Sequence, residues 1–418
     1  MPAAKGNKLP SGYTNPLSLT SQFPFCGLPL RLDSYRGCAF RCSYCFARNR
    51  GGNSPEDSVR PADPTAVLRR IDSALAGRGS GILAQFLRRR VPLHFGGMSD
   101  PLQPIEGRLR VTEQILRGLL RSRYPTVLST RGAVVAESPY WELLRDLGAV
   151  VQFSFCSARD SVAARVEPHA TRPSHLLRAM EFLSARGVAV TCRWQPYIPT
   201  LSEPPDEFVP RVSATGCRHV AFEHLKVPLE RRDNAWPAFP ILDGQDFHTQ
   251  YRQQGAVRDG RELVLPAAAK LSMTLRVRAA VHEQRMSFGA ADNELQYLSD
   301  TPCCCSGVDR FPGFENFFKH QIGFALHQSR GAAIRYSSIA DEWAPHGSID
   351  RYLNSKSRLS RRTDEKGTLT DHIRARWNEP AAPGSPASFF GVASSGRVDS
   401  SGNLVYRWDS VTEARRNG

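Results

Sequence analysis

Three cysteines, Cys38, Cys42 and Cys45, stand in one short loop, Arg36-Gly37-Cys38-Ala39-Phe40-Arg41-Cys42-Ser43-Tyr44-Cys45-Phe46. The spacing is CxxxCxxC, with an aromatic residue just before the third cysteine. Thiolates set this closely can grip three irons of one cubane cluster and leave the fourth iron without a protein ligand. An open metal position is a place for chemistry. Two other readings stay open, a zinc knuckle and three reduced structural cysteines. Zinc in a closed site takes four ligands, usually as paired CxxC or Cys/His units, and no second pair lies nearby.

A second group, Cys303-Cys304-Cys305, follows Asp300-Thr301-Pro302. Three readings stand open for it. One is a thiol that returns a hydrogen atom to a product radical, with Cys304 as candidate. The second is ligation of an auxiliary iron–sulfur cluster or metal. The third is structural, as small buried thiols. Consecutive residues of an extended chain point in opposite directions, so three cannot readily share one metal. Two can, helped by Cys26, Cys156 or Cys217.

Such groups need elements to position them. Between Leu30 and Lys226 short apolar runs alternate with longer amphipathic stretches. Strands are predicted at 30–35, 92–95, 126–129, 149–155, 188–193 and 219–223. Helices are predicted at 64–88, 105–122, 139–147, 174–186 and 206–214, with Gly148, Gly187 and Gly216 at helix ends. Six strands alternating with helices predict an α/β fold, a parallel sheet closed into a partial (βα)6 barrel. Active residues in such barrels gather at the C-terminal ends of the strands. The cysteine loop, Gly96-Gly97, Ser129-Thr130-Arg131, Ser154 and Arg193 all fall there. The fourth strand sets Gln152, Ser154 and Cys156 on one face against Val151, Phe153 and Phe155 on the other, which predicts a polar lumen. Cys156, at the lumen end of that strand, is a second candidate hydrogen donor. His94 reads as a satisfied core residue, and Asp100-Pro101 as a helix entry with Asp100 as N-cap.

The chain divides into an N-terminal extension (1–29), a core barrel (30–230), a substrate-defining, mostly helical region (231–377) holding the second cysteine group, and a Pro-, Ala-, Gly- and Ser-rich tail (378–418) expected to be largely disordered. Residues 263–273 have the apolar character of helix or strand, and 331–362 that of Arg-rich helical segments. Phe311, Phe314, Phe317 and Phe318 beside Lys319 suit either a core helix or aromatic walls for a flipped-out base.

At 418 residues the chain can bury a sizeable core, and it has no apolar run of membrane-spanning length. Its polar first 20 residues predict no secretory leader, and its ten cysteines then fit a reducing cytoplasm. The net charge of +15 comes almost wholly from arginine and favours a nucleic-acid partner.

Cys38, Cys42, Tyr44 and Cys45 match the CxxxCx-aromatic-C motif and so resemble the radical S-adenosylmethionine superfamily. The resemblance implies a 4Fe-4S cluster whose open iron chelates S-adenosylmethionine, an electron donor such as a flavodoxin or ferredoxin, and a 5′-deoxyadenosyl radical that abstracts hydrogen. Tyr44 is then expected near the adenine. The segment from Gly96 to Glu106, Gly-Gly-Met-Ser-Asp-Pro-Leu-Gln-Pro-Ile-Glu, resembles one in the spore photoproduct lyase-like (DNA repair photolyase) group, and its glycines imply a cradle for the cofactor's amino group. Ser129-Thr130-Arg131 resembles that group's Ser-Thr-Lys-Ser segment, with Arg131 where lysine is usual. Glu167-Pro168 and Pro196-Tyr197-Ile198-Pro199 resemble two further segments, with Thr200 where glycine is customary. The resemblance covers about residues 30–230. It implies Gly96, Gly97, Ser129, Ser154 and Arg193 as cofactor contacts, the last three through hydroxyl and guanidinium donors. A nucleic-acid lesion is the substrate it suggests. Modification of a peptide or other substrate with an auxiliary cluster, or a non-catalytic metal-stabilised nucleic-acid-binding protein, are the alternatives.

Overall fold

A computed structural model describes residues 12–47, 58–229, 241–242, 244–260, 262–301, 303–304, 311, 317–329, 333–339, 344–353 and 367–409. Its centre is one eight-stranded sheet whose strands lie in chain order: β1 (Leu17–Leu19), β2 (Leu30–Leu32), β3 (Leu93–Phe95), β4 (Thr126–Thr130), β5 (Val150–Phe155), β6 (Ala189–Tyr197), β7 (His219–His224) and β8 (Ser287–Ala290). β1 runs antiparallel to β2, and every other neighbouring pair is parallel. Parallel neighbours require a long return, and helices supply it between β2 and β8.

Register separates two faces. Phe155, Trp194 and Phe222 align across β5, β6 and β7. They pack outward, with Trp194 stacked on Phe208 of helix Pro205–Ser213 at 3.9 Å between ring centroids. On the other face Gln152 aligns with Thr191, and Ser154 with Arg193, Ala221 and Gly289. The polar face predicted from β5 is therefore present at Gln152, Thr191, Ser154 and Arg193.

The six predicted strands all form, but the parallel strands number seven. The additional one, β8, reads Ser-Phe-Gly-Ala and carries little strand signature. Its glycine has a cause: a Cβ on Gly289 would collide with the carbonyl oxygen of Cys304 and stand 2.9 Å from the Cys304 Cα. Two predicted helices are split. The stretch 64–88 becomes Pro64–Leu75 and Ile82–Arg88, separated at Gly77 and Gly79, both at positive φ. The stretch 105–122 becomes Glu106–Leu109 and Val111–Ser122, broken where Arg110 adopts the left-handed conformation, φ 52°.

The C-terminal region is mixed rather than mostly helical. Strand Glu262–Val264 and helix Ala267–Glu283 divide the ambiguous run at 263–273. Helices Ile322–Gln328 and Leu369–Trp377 follow. Among the described residues of 331–362 only short 3-10 turns occur, Tyr336–Ser338 and Asp350–Tyr352. Phe311 packs half-buried on the core and Phe317–His320 form a 3-10 turn; Phe314 and Cys305 lie outside the described residues. The tail expected to be disordered instead holds an antiparallel hairpin, β9 (Val392–Val398) with β10 (Leu404–Trp408). Its aromatics anchor it: Trp377 is fully buried, donates from Nε1 to the Leu404 carbonyl at 2.7 Å, and meets Tyr406 edge-on. Average composition hides so local a core. No helix among the described residues is long and apolar enough to cross a membrane.

Candidate active site

The cysteine loop leaves the C-terminal end of β2 and is moored on both sides. At its entry, the buried Asp33 carboxylate accepts from the backbone N–H groups of Met98 (2.8 Å) and Ser99 (3.1 Å), and the Ser99 hydroxyl donates to the Tyr35 carbonyl. Buried Gln103 accepts from the Ala39 N–H at 2.7 Å and donates to the Gly37 carbonyl at 3.0 Å. At its exit, the Ser43 N–H and hydroxyl both donate to the Val166 carbonyl at 2.9 Å, and the Tyr44 hydroxyl donates to Glu167. The loop packs in an apolar cluster with Phe40, Cys156, Val162 and Ile198, and Cys42 is buried while Cys38 and Cys45 are half-buried.

That burial disfavours bare thiolates. It pushes Cys38 up to about 12 and Cys42 well above the ordinary thiol range, with neighbouring thiols adding to both. A cationic metal centre replaces those protons, so the donor set, three thiols of one loop, fits an iron–sulfur cluster. Burial likewise raises Asp33 to about 6 against the opposing backbone N–H groups. Among the described residues no three His, Cys, Asp or Glu side chains form a group that holds a single metal ion.

Facing the loop is the turn after β3. Gly96 takes φ +97°, and a Cβ there would stand 2.5 Å from the Ser129 carbonyl oxygen and 2.8 Å from Pro101. Only glycine fits. A Cβ on Gly97 would meet nothing closer than the flexible Arg31 side chain at 3.2 Å. Asp100 is not the N-cap of a helix starting at Pro101, because the helix begins at Glu106. Its carboxylate instead accepts from the Thr130 hydroxyl (2.7 Å) and the N–H groups of Arg131 (2.6 Å) and Leu102 (2.9 Å). Glu106 is buried and accepts from the hydroxyls of Tyr35 and Tyr140 and the N–H groups of Thr112 and Glu113.

Lumen residues divide by depth. Ser129 is buried, its hydroxyl between His94 Nε2 (2.9 Å) and Gln152 Oε1 (3.1 Å), so it belongs to a hydrogen-bonded floor rather than to an open contact surface. Gln152 Nε2 and Thr191 Oγ1 in that floor are buried without a hydrogen-bond partner. One rung higher, Ser154 and Arg193 are half-buried, with Arg193 Nε bonded to Gln195 Oε1.

Cys156 is almost fully buried, in the apolar cluster that also holds Phe40, Cys42 and Tyr44, and burial pushes its thiol well above the ordinary range. Cys304 runs against the lumen-side register position of Gly289, its carbonyl oxygen 2.9 Å from His219 Nε2, and Cys303 is buried in the main core.

Sequence reasoning undervalued Arg131 and Glu167. Arg131 Nη1 meets Glu167 Oε1 at 2.6 Å and also donates to the Ser154 carbonyl; Nη2 donates to the Gln195 carbonyl. Their signal was the Glu-Pro pair and the Ser-Thr-Arg segment, but only the fold joins them. Thr200, where glycine is customary, holds the left-handed conformation at φ 71°.

No family model matches the chain. Over 208 residues the chain is 26% identical to uncharacterized protein Rv2578c of Mycobacterium tuberculosis (strain ATCC 25618 / H37Rv) and to uncharacterized protein Mb2609c of Mycobacterium bovis. The match takes in 46% of this chain and 58% of each relative, so the chain spans little more than half the length of the curated relatives it matches. Among solved structures it is similar to a spore photoproduct lyase mutant, at 15% identity and TM-score 0.49 over 65% of this chain and 78% of that one. It is also similar to SuiB of Streptococcus suis, at 13% identity and TM-score 0.40 over 63% of this chain and 49% of that one. Likenesses at this level leave the functional reading to the chain's own residues.

Proposed function

We propose that this chain is a radical S-adenosylmethionine enzyme. The observation that carries the reading is the CxxxCx-Tyr-C loop, moored at the C-terminal end of a large parallel sheet beside a turn that requires glycine at position 96. Cys38, Cys42 and Cys45 would hold the 4Fe-4S cluster. When bound, cluster and S-adenosylmethionine together supply a 5′-deoxyadenosyl radical for hydrogen abstraction.

The chain's residues bind and orient. Gly96 and Gly97 admit the cofactor's amino group to the backbone, Arg193 offers a guanidinium to its carboxylate, and Ser154 offers a hydroxyl at the same rung. Tyr44, held by Glu167, braces the loop from behind. Ser129 acts one layer down, fixing Gln152 and His94. Of the two candidate donors, Cys304 has the better placement, because it is half-buried whereas Cys156 is almost fully buried. The Arg-derived net charge of +15 favours a nucleic-acid lesion as substrate. The passage of Cys304 against Gly289 and His219 also favours a second reading, a peptide-modifying enzyme whose cysteines at 303–305 hold an auxiliary cluster. In either case a low-potential flavodoxin or ferredoxin supplies the electron.

Anaerobic reconstitution with iron and sulfide tests the core reading. About four irons per chain and dithionite-driven formation of 5′-deoxyadenosine are expected, both lost on replacing Cys38, Cys42 and Cys45 by alanine. Zinc in place of iron, with no cofactor cleavage, overturns it. Iron that survives the triple replacement and is lost with Cys303 and Cys304 identifies the auxiliary cluster.

A further inference from the structure

We infer that the exposed arginines along helix Val111–Ser122 form a track for the phosphate backbone of a double-stranded nucleic acid. The inference rests on the nucleic-acid reading above and deepens it by assigning the contact surface. Arg110, Gln114, Arg117 and Arg121 are all exposed, and their spacing sets them on one face of the helix. The opposite face is packed: a Cβ on Gly118 would stand 2.1 Å from Leu68 of helix Pro64–Leu75. At about 1.5 Å per residue the row is about 18 Å long. The helix holds no aromatic residue, whereas single-strand grooves use aromatic stacking platforms. Its chemistry is that of backbone contact.

Both ends of the row are placed by the fold. Arg108 and Arg110 follow directly on Glu106, whose carboxylate accepts from the Tyr35 hydroxyl at the entry of the cysteine loop. Arg121 and Arg123 come just before β4, at the opposite end of the sheet. The track thus climbs from the base of the sheet to the rim that carries the candidate site. Along it positive charge is poorly compensated. Glu113 meets both Arg110 and Arg117 at 2.8 Å, one carboxylate against two guanidiniums. Beyond it acid is missing from the chain, since residues 73–99 and 114–136 together hold eight arginines and no aspartate or glutamate.

A helix C-terminus ordinarily repels phosphate, because its last carbonyls carry partial negative charge. Here guanidiniums cover them. Arg90 Nη2 donates to the carbonyls of Ser122 (3.0 Å) and Arg123, and Arg88 Nη2 to those of Gly77 (3.0 Å) and Gly79 (2.8 Å). Capping accounts for Arg88 and Arg90, but not for Arg121 and Arg123, exposed beside the capped carbonyls. An open cleft of about 470 Å³, lined by Ser80, Gln85, Arg88 and Arg89, adjoins this end. Guanidinium forks match phosphate oxygens in pairs, and each phosphate so neutralised releases condensed counterions.

The test titrates the reconstituted full-length protein with a labelled, lesion-free duplex oligonucleotide over a series of salt concentrations. A triple variant, Arg117→Gln with Arg121→Gln and Arg123→Gln, should flatten the slope of log affinity against log salt by roughly 0.9 per lost contact, about 2.7 in all. A control triple of equal charge change, Arg178→Gln with Arg211→Gln and Arg252→Gln, alters exposed arginines of other helices and should keep the wild-type slope. Lysine at positions 117, 121 and 123 should keep most of it, since the charge remains. If the glutamine triple does not fold, Arg121→Gln alone decides, with a flattening of about 0.9 expected. An unmoved slope overturns the inference. So does equal flattening in the control, which reduces the attraction to net charge, or a wild-type protein that binds anionic vesicles but not the duplex. Formation of 5′-deoxyadenosine, measured on the same samples, tests the enzyme reading separately, so the two failures are distinct.

Discussion

Gly96 and Gly97 are adjacent and chemically identical, yet the structure asks different things of them. Gly96→Ala forces a Cβ to within 2.5 Å of a backbone oxygen at φ +97°, and should cost about 3 kcal/mol of stability in denaturant unfolding. Gly97→Ala meets only the movable Arg31 chain, and should change stability by less than about 1 kcal/mol while weakening S-adenosylmethionine binding in calorimetry. Asp33 supplies a pH prediction. Its carboxyl is raised by burial to about 6, so the folded state holds its proton more tightly than the unfolded state does. The resulting stability is complete below about pH 4 and lost as pH rises through about 6. Asp33→Asn should flatten that part of the stability profile, as thermal unfolding across the window will show. The cysteine triad was legible at this scale because three ligands of one centre lie within eight consecutive residues. Asp33 and the Arg131–Glu167 pair were not, because their partners come from loops that only the finished sheet brings together.

Glu106 shows how a single side chain can hold elements together. It ties the end of the first parallel strand, through Tyr35, to the start of helix Val111–Ser122 and to helix Tyr140–Leu147, through Tyr140. Glu106→Gln keeps the shape but replaces one acceptor oxygen by a donor facing donors. We expect a loss of about 2–3 kcal/mol, visible as a lowered unfolding midpoint. Strand and helix order was legible across residues 30–226 because apolar runs and amphipathic stretches alternate cleanly. The errors have local causes. Arg110 accepts a left-handed turn that residue type alone does not announce, and β8 carries a glycine at 289 because Cys304 passes against it.

At the scale of the molecule, composition misled where a few aromatics outweigh many small residues. Trp377, Tyr406 and Trp408 convert a Pro- and Ser-rich tail into a packed hairpin. Trp377→Ala should cost about 3–5 kcal/mol and release the hairpin to proteolysis at sites beyond residue 378, readable by limited digestion and mass spectrometry. The N-terminal segment is tied into the fold as firmly as this hairpin. β1 extends the sheet, Gln296 donates to the Phe25 carbonyl across 271 residues of chain, and Gln321 donates to the Cys26 carbonyl across 295.

Those two amide bonds carry a consequence for the order of biosynthesis. The cysteine loop is translated soon after the Phe25–Cys26 segment, whereas the residues that pin that segment follow it by 271 and 295 positions. A nascent chain on the ribosome likewise displays its three thiols before the apolar cluster around them, which takes in Tyr251 and Leu263, is complete. Long-range closure of this kind is slow, because distant partners must find each other before their contact rewards the search. Metal delivery to a half-made chain meets a more accessible loop than delivery to the completed one.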